Sequence, residues 1–116
     1  MDASKLFAEE LAKDLLGSHL DRYSAILSNY DPDKAAPVFA GAIRAFQHLA
    51  PQDQAAIAAF LGVVITDTAS IILGVIDGST GVDNLDGEFQ LFYDGSLASG
   101  SLQDHFLAAS ETRFGA

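Results

Sequence analysis

The longest apolar run in the chain is Ala55 to Ile76, interrupted only by Thr66, Asp67, Thr68 and Ser70. Within it, Ile57, Phe60, Leu61, Val64, Thr68, Ile71, Ile72 and Val75 recur at intervals of three and four, the period of an α-helix. Val63, Ile65, Leu73 and Ile76 occupy other faces, so the helix is apolar almost all round and is expected to be buried on several sides. Pro51 suits its first turn, where a missing N–H costs nothing. Ala50 before it is free to take the extended conformation that a following proline favours. Asp53 sits well near the positive end of the helix dipole. Asp77-Gly78 ends the helix, with Gly78 as its left-handed cap. The rest of the chain is expected to be organised around this segment, 51–77.

Shorter amphipathic segments precede it. Residues 2–16 form a helix with an apolar stripe of Leu6, Phe7, Leu11, Leu15 and Leu16. Glu9 and Lys13 are spaced for an i,i+4 ion pair, worth about 0.2–0.5 kcal/mol. Gly17 is expected to stop this helix and Ser18 to cap a second, His19 to Asn29, which turns Leu20, Tyr23, Ile26 and Leu27 inward. Asp31-Pro32-Asp33 is a turn by composition. A third helix starts at Asp33 or at Pro37, with Val38, Phe39, Ala42, Ile43, Phe46 and Leu49 on one face. Its small residues Ala40, Gly41 and Ala45 leave room for a neighbouring helix to come close.

After Gly78 the pattern changes. Residues 78–87 read as a loop, Glu88 to Tyr93 as an aromatic strand, and Asp94-Gly95 as a two-residue hairpin turn. Phe89, Leu91 and Tyr93 share one face of that strand; Glu88, Gln90 and Phe92 share the other. Ser96 to Ser99 is the return strand. Ser101-Leu102-Gln103-Asp104 resembles a capping box, with Asp in place of Glu or Gln. It opens a last helix to about Ser110 that buries Leu102, Phe106 and Leu107, and residues 113–116 are expected to fray. The fold class is therefore α+β, mostly α: a helical bundle around a central apolar helix, with a C-terminal β-hairpin and a closing helix. At 116 residues it is one domain, 1–116, able to bury a core without staples.

The length of the central helix approaches that of a membrane span. Asp67 would then lie near the bilayer centre at a cost of about 2.5–3.5 kcal/mol. No Lys or Arg flanks either end, and the remaining segments carry apolar residues to cover the helix, so a core helix is expected instead. The N-terminal residues mix acids with apolar positions and lack the pattern of a signal peptide, which makes a cytoplasmic location the expectation.

Charge changes the picture most. The net charge is −10, and no Lys or Arg lies between Arg44 and Arg113, an interval that holds nine acids. Its negative field repels nucleic acid and anionic membranes and attracts a basic protein partner. The absence of cysteine excludes disulfides and thiolate metal sites.

Motifs for chemistry are sparse. Asp77 to Glu88 has the length of an EF-hand loop, but Val82 stands where glycine is required, Gly81 supplies no side-chain oxygen, and a strand follows where a helix should. His19, His48 and His105 lie on three segments without metal-ligand spacing, so neither a metal nor another cofactor is expected. No GxSxG elbow or phosphate loop occurs. Asp67 is the exception: a carboxylate on the most apolar helix, expected to be buried and therefore paired, capped or protonated. It is a candidate polar site, alone or with His105 or Tyr23.

The C-terminal order of LGVIDG, a short acidic loop, FQLFYDG and GSLQDHFL resembles small acidic bacterial proteins of the immunity type, over roughly residues 60–110. The resemblance lies in architecture and charge. It implies a non-enzymatic cytoplasmic inhibitor that binds a toxin domain tightly. From the residues themselves, the expected partner-binding positions are Asp83, Asp86, Glu88, Phe92, Tyr93 and Asp94, with aromatic anchors ringed by charge. The alternatives are a self-assembling subunit, a homodimer included, that pairs through the apolar helix and Phe92, and a small-ligand or catalytic domain built on Asp67.

Overall fold

The computed structural model describes the backbone of residues 2–114 and the side chains of residues 2–111. Asp2 caps the first helix, α1 (Ala3–Asp14), by accepting the Lys5 amide at 3.1 Å. Gly17 does not stop it. The chain runs through Leu15–His19 as a π-helical turn and continues directly into α2 (Leu20–Asn29). Gly17 is buried within that turn and does not terminate the helix. The inserted residue rotates α2 by about 100° around the helix axis relative to α1, one residue's worth of an α-helix. Asp31 then caps a 3₁₀ turn at Pro32–Lys34 by accepting the Asp33 amide.

The third helix, α3, is Pro37–Gln47, the later of the two expected starts. The long helix α4 is Pro51–Asp77, 27 residues, with Ala50 extended before it and Gly78 left-handed (φ 86°) after it, both as the sequence predicts. The Gly74 carbonyl accepts the amides of Ser79 and Thr80 at 2.9 and 3.1 Å, which closes the helix end.

The expected hairpin turn is present: Asp94 and Gly95 both have positive φ, as a two-residue I′ turn requires. Phe92 pairs with Leu97 and Tyr93 with Ser96. The strands are shorter than expected, β1 being Phe92–Tyr93 and β2 Ser96–Leu97. Below them, the Leu91 carbonyl accepts two amides, from Ala98 and Ser99, and its own N–H donates to the Ser99 hydroxyl. The return segment then turns away into α5 (Leu102–Phe114), so residues 88–90 have no strand to pair with. Of the face shared by Phe89, Leu91 and Tyr93, only Leu91 is half-buried; Phe89 and Tyr93 are exposed. The helix α5 runs past Ser110 to Phe114, and of the segment expected to fray, Gly115 and Ala116 lie outside the described residues.

The fold is thus mostly α with a small antiparallel hairpin near the C-terminus, the class expected. Its core lies where α1, α5 and the C-terminal half of α4 meet: Ala8, Ala12, Leu73, Leu102 and Phe106. The inward face of α1 is made by its alanines. Leu6, Phe7, Leu11 and Leu15 are only half-buried, because Ala8 and Ala12 let α5 come close enough to push the larger side chains to the margins. Phe106 and Leu102 are fully buried, and Leu107 is half-buried. A second set, Leu20, Ala40, Ile43 and Phe46, closes the corner between α2 and α3. No helix comes close at Gly41, where an added Cβ would meet nothing within 4 Å.

The helix expected to be covered on several sides is covered on one. Only 22% of the apolar window of α4 is buried, at a mean hydropathy of 2.1. Leu73, Gly74 and Ser70 face the core, while Ile57, Phe60, Val63, Val64, Ile71 and Ile72 are exposed. The overall shape reflects this. The molecule measures 47 × 32 × 24 Å with a radius of gyration of 17.1 Å. A compact domain of this length has about 13 Å.

Candidate functional site

The end of α4 and the start of α5 are joined by a polar knot that the sequence does not announce. The Asp77 carboxylate accepts the Gly100 amide at 2.7 Å and the Gln103 amide at 2.8 Å. The cap of α5 therefore comes from Asp77, across 26 residues, in place of the local Ser101–Asp104 box. The Gln103 side chain donates to the Ser70 carbonyl at 3.0 Å and the Ser70 hydroxyl at 3.2 Å, and accepts from Ser79 at 2.9 Å. Gly74 lies under this knot. A Cβ there would collide with Thr80 Oγ1 and stand 2.7 Å from Gln103 Nε2. Asp77 is thus committed to backbone amides, which removes it from any cation loop with Glu88. Among the described residues no group of three or more His, Asp or Glu side chains is placed to hold a metal.

The knot anchors the base of the acidic segment. Asp83, Asp86, Glu88 and Asp94 are all exposed, and none has a base within ion-pair distance among the described residues. The ion pairs present lie elsewhere: Arg44–Asp33 at 2.8 Å, His105–Asp2 at 3.8 Å, and Lys5–Glu9 at 3.9 Å in place of the expected Glu9–Lys13. Asp86 and Glu88 share one concavity of about 550 Å³, floored by Val75, Ile76 and Gly78 and walled by Leu97 and Gly100. Asp83 lies outside it. Phe92, Tyr93 and Asp94 stand at the hairpin tip, with Phe92 58% exposed. Of the six expected partner-binding residues, the fold thus gathers Asp86 with Glu88 and Phe92 with Tyr93 and Asp94, as two neighbouring groups on one exposed stretch.

Asp67 is not buried. It stands exposed at the rim of a concavity of about 430 Å³ between α4 and α5, beside Gly62, Val63, Thr66, Leu107 and Glu111. Neither His105 nor Tyr23 lines that concavity. His105 faces Asp2, and Tyr23 packs its ring edge-on to His19 and parallel to Phe39. Among the described residues Asp67 has no ion pair or side-chain hydrogen bond. The expectation of burial fails because the concavity between α4 and α5 is open at Asp67, which leaves the carboxylate exposed.

A large apolar feature was missed as a site by sequence reasoning. A groove of about 570 Å³ runs between α2, α3 and the N-terminal half of α4, lined by Tyr23, Ile26, Phe39, Ala42, Leu61 and Val64 among others, and almost wholly apolar. Its signal was in the sequence, since these are the inward stripes of three helices. Periodicity names the stripes but not whether they meet.

No protein-family model, no curated protein and no solved structure matches the chain.

Proposed function

We propose that the protein is a non-enzymatic protein-binding module that presents its acidic loop and hairpin, residues 83–94, to a basic partner. The observation that carries this reading is the state of the carboxylates there. Four acids within twelve residues are exposed and unpaired, beside two aromatic side chains held out by a rigid turn. Unpaired carboxylates keep their full field for an incoming partner and speed its encounter. Exposed aromatics on a defined turn supply anchors at low entropic cost. The hairpin is tied to the bundle by Leu91, which packs against the core, and by the Asp77 carboxylate, which accepts the Gly100 amide, so less ordering free energy is lost when its tip binds. An immunity-type inhibitor, acting in the cytoplasm by covering the basic active site of a toxin domain, is the specific form this reading takes.

The test is affinity capture from source-cell lysate on immobilised wild-type protein and on the triple variant Asp83→Lys, Asp86→Lys, Glu88→Lys, at low and high salt, with retained proteins identified by mass spectrometry. A basic protein held by the wild type at low salt and lost with the triple variant supports the reading. Retention that ignores both the charge reversal and the salt rejects this face as the binding surface.

A further inference from the structure

We infer that α4 is the interface of a two-fold homodimer, in which the α4 helices of two copies pack antiparallel. The seam is a different surface from the acidic face, which it meets at Val75.

The seam is regular. Ile57, Leu61, Val64, Thr68, Ile71 and Val75 succeed one another at steps of four, three, four, three and four, the alternation of a heptad seam. They form the stripe of α4 that faces away from the core residues Leu73 and Ser70. One half of this stripe is concave and the other convex. Around Ile57, Leu61 and Val64, α2 and α3 rise on one side and make the apolar groove. Around Thr68 and Ile71 those walls are absent and the helix stands proud, with Thr68, Ile71 and Ile72 exposed, while Val75, at the end of the stripe, is half-buried at the edge of the concavity that holds Asp86 and Glu88.

A ridge and a groove on one helix are complementary only when a second copy is reversed. Antiparallel pairing about Thr66 sets Val64 against Thr68 of the second copy, Leu61 against its Ile71, and Ile57 against its Val75. Each ridge then fills the other's groove, an isologous contact in which every pair occurs twice. Parallel pairing would set groove against groove.

The area agrees. The chain exposes 7657 Å², against about 6,100 Å² for a compact monomer of its mass. The excess of roughly 1,500 Å², shared between the bare side of α4 and the exposed segment 81–97, leaves room for the ~800 Å² that each partner buries in a standard interface. Charge agrees as well. Reversal keeps the two acidic loops after α4 at opposite ends of the pair, whereas parallel pairing would stack two acidic halves. A bilayer is a poorer occupant. To span it, α4 would have to leave the core packing of Leu73, and α4 has no Lys or Arg to meet the headgroups.

The test uses the full chain. Sedimentation from about 1 to 100 µM, which brackets a micromolar dissociation constant, is expected to give a two-chain species. Val64→Glu, at a position exposed in the single copy, is expected to raise the dissociation constant by more than about 10-fold with helical circular dichroism unchanged. Orientation is read by disulfides, since the chain has no cysteine of its own. Leu61→Cys and Ile71→Cys are expected to crosslink when mixed. Each alone should not, because equal positions lie about 15 Å apart along an antiparallel pair. Crosslinking within each separate variant overturns the antiparallel arrangement. A single-chain mass over the whole range overturns the dimer, and flotation of that monomer with phosphatidylcholine vesicles would assign the α4 face to lipid.

Discussion

At the scale of single residues, the most demanding position is Gly74. Its hydrogen atom faces Thr80 and Gln103 at distances no methyl group can occupy. Gly74→Ala is expected to destabilise the protein by about 1–3 kcal/mol, as overpacking does, and to lower the thermal midpoint. Adding Thr80→Ala should recover part of that loss by removing the nearest clash. Asp77 acts through two short hydrogen bonds, to the Gly100 amide just before α5 and to the Gln103 amide in its first turn, a favourable place for a negative charge. Asp77→Ala should cost about 1–2 kcal/mol, the range for losing a helix cap. Asp77→Asn should cost less, since one acceptor oxygen remains. Thermal unfolding of the three proteins checks the order. Equal loss in both Asp77 variants would mean that the charge, and not the acceptor geometry, carries the effect.

At the scale of elements, α4 joins two environments in one helix. Its C-terminal half is held by α1 and α5 through Leu73, and its N-terminal half is held lightly by the π-helical turn and α2. Asp67 lies at the boundary, beside the apolar seam. In an antiparallel pair centred on Thr66, the two Asp67 carboxylates lie on the same edge of the seam, about 80° around each helix from its centre and close to the two-fold axis, so their like charges repel. Asp67→Asn is therefore expected to tighten the dimer several-fold, read as a lower dissociation constant in sedimentation. An unchanged constant would place Asp67 away from the axis and count against that register. The hairpin shows how an element's length is set from outside it. Residues 88–93 carry the composition of a six-residue strand, yet β1 is two residues long because its partner leaves for α5 after Ser99.

At the scale of the whole molecule, the two proposed surfaces answer to different forces, and salt separates them. Burial of the α4 seam is hydrophobic and is expected to survive high ionic strength. Capture of a basic partner by residues 83–94 is electrostatically steered and is expected to weaken as the Debye length shrinks from about 10 Å at 0.1 M to about 3 Å at 1 M. Sedimentation and affinity capture over the same salt series check this; a dimer that dissolves in high salt would show that charge, and not the seam, holds it. The extended shape carries the same message. A radius of gyration of 17.1 Å in a chain of this length leaves apolar surface that a single copy does not fold over.

Local chemistry determined much of the outline. Pro51, Gly78 and Asp94-Gly95 act on their own backbone dihedrals, so helix ends and the hairpin turn were legible from the residues alone. The helical stripes were legible because periodicity is a property of one segment. The exposed acids were legible because charge seldom hides. Three things were decided only in the tertiary structure. Gly17 sits in a continuous π-helical turn because neighbouring elements pack against it, although an isolated glycine reads as a stop. Asp77 caps α5 because the loop between them brings two distant segments together. Asp67 is exposed and α4 half-bare because burial depends on how many other stripes reach the same helix, a count that no one segment contains.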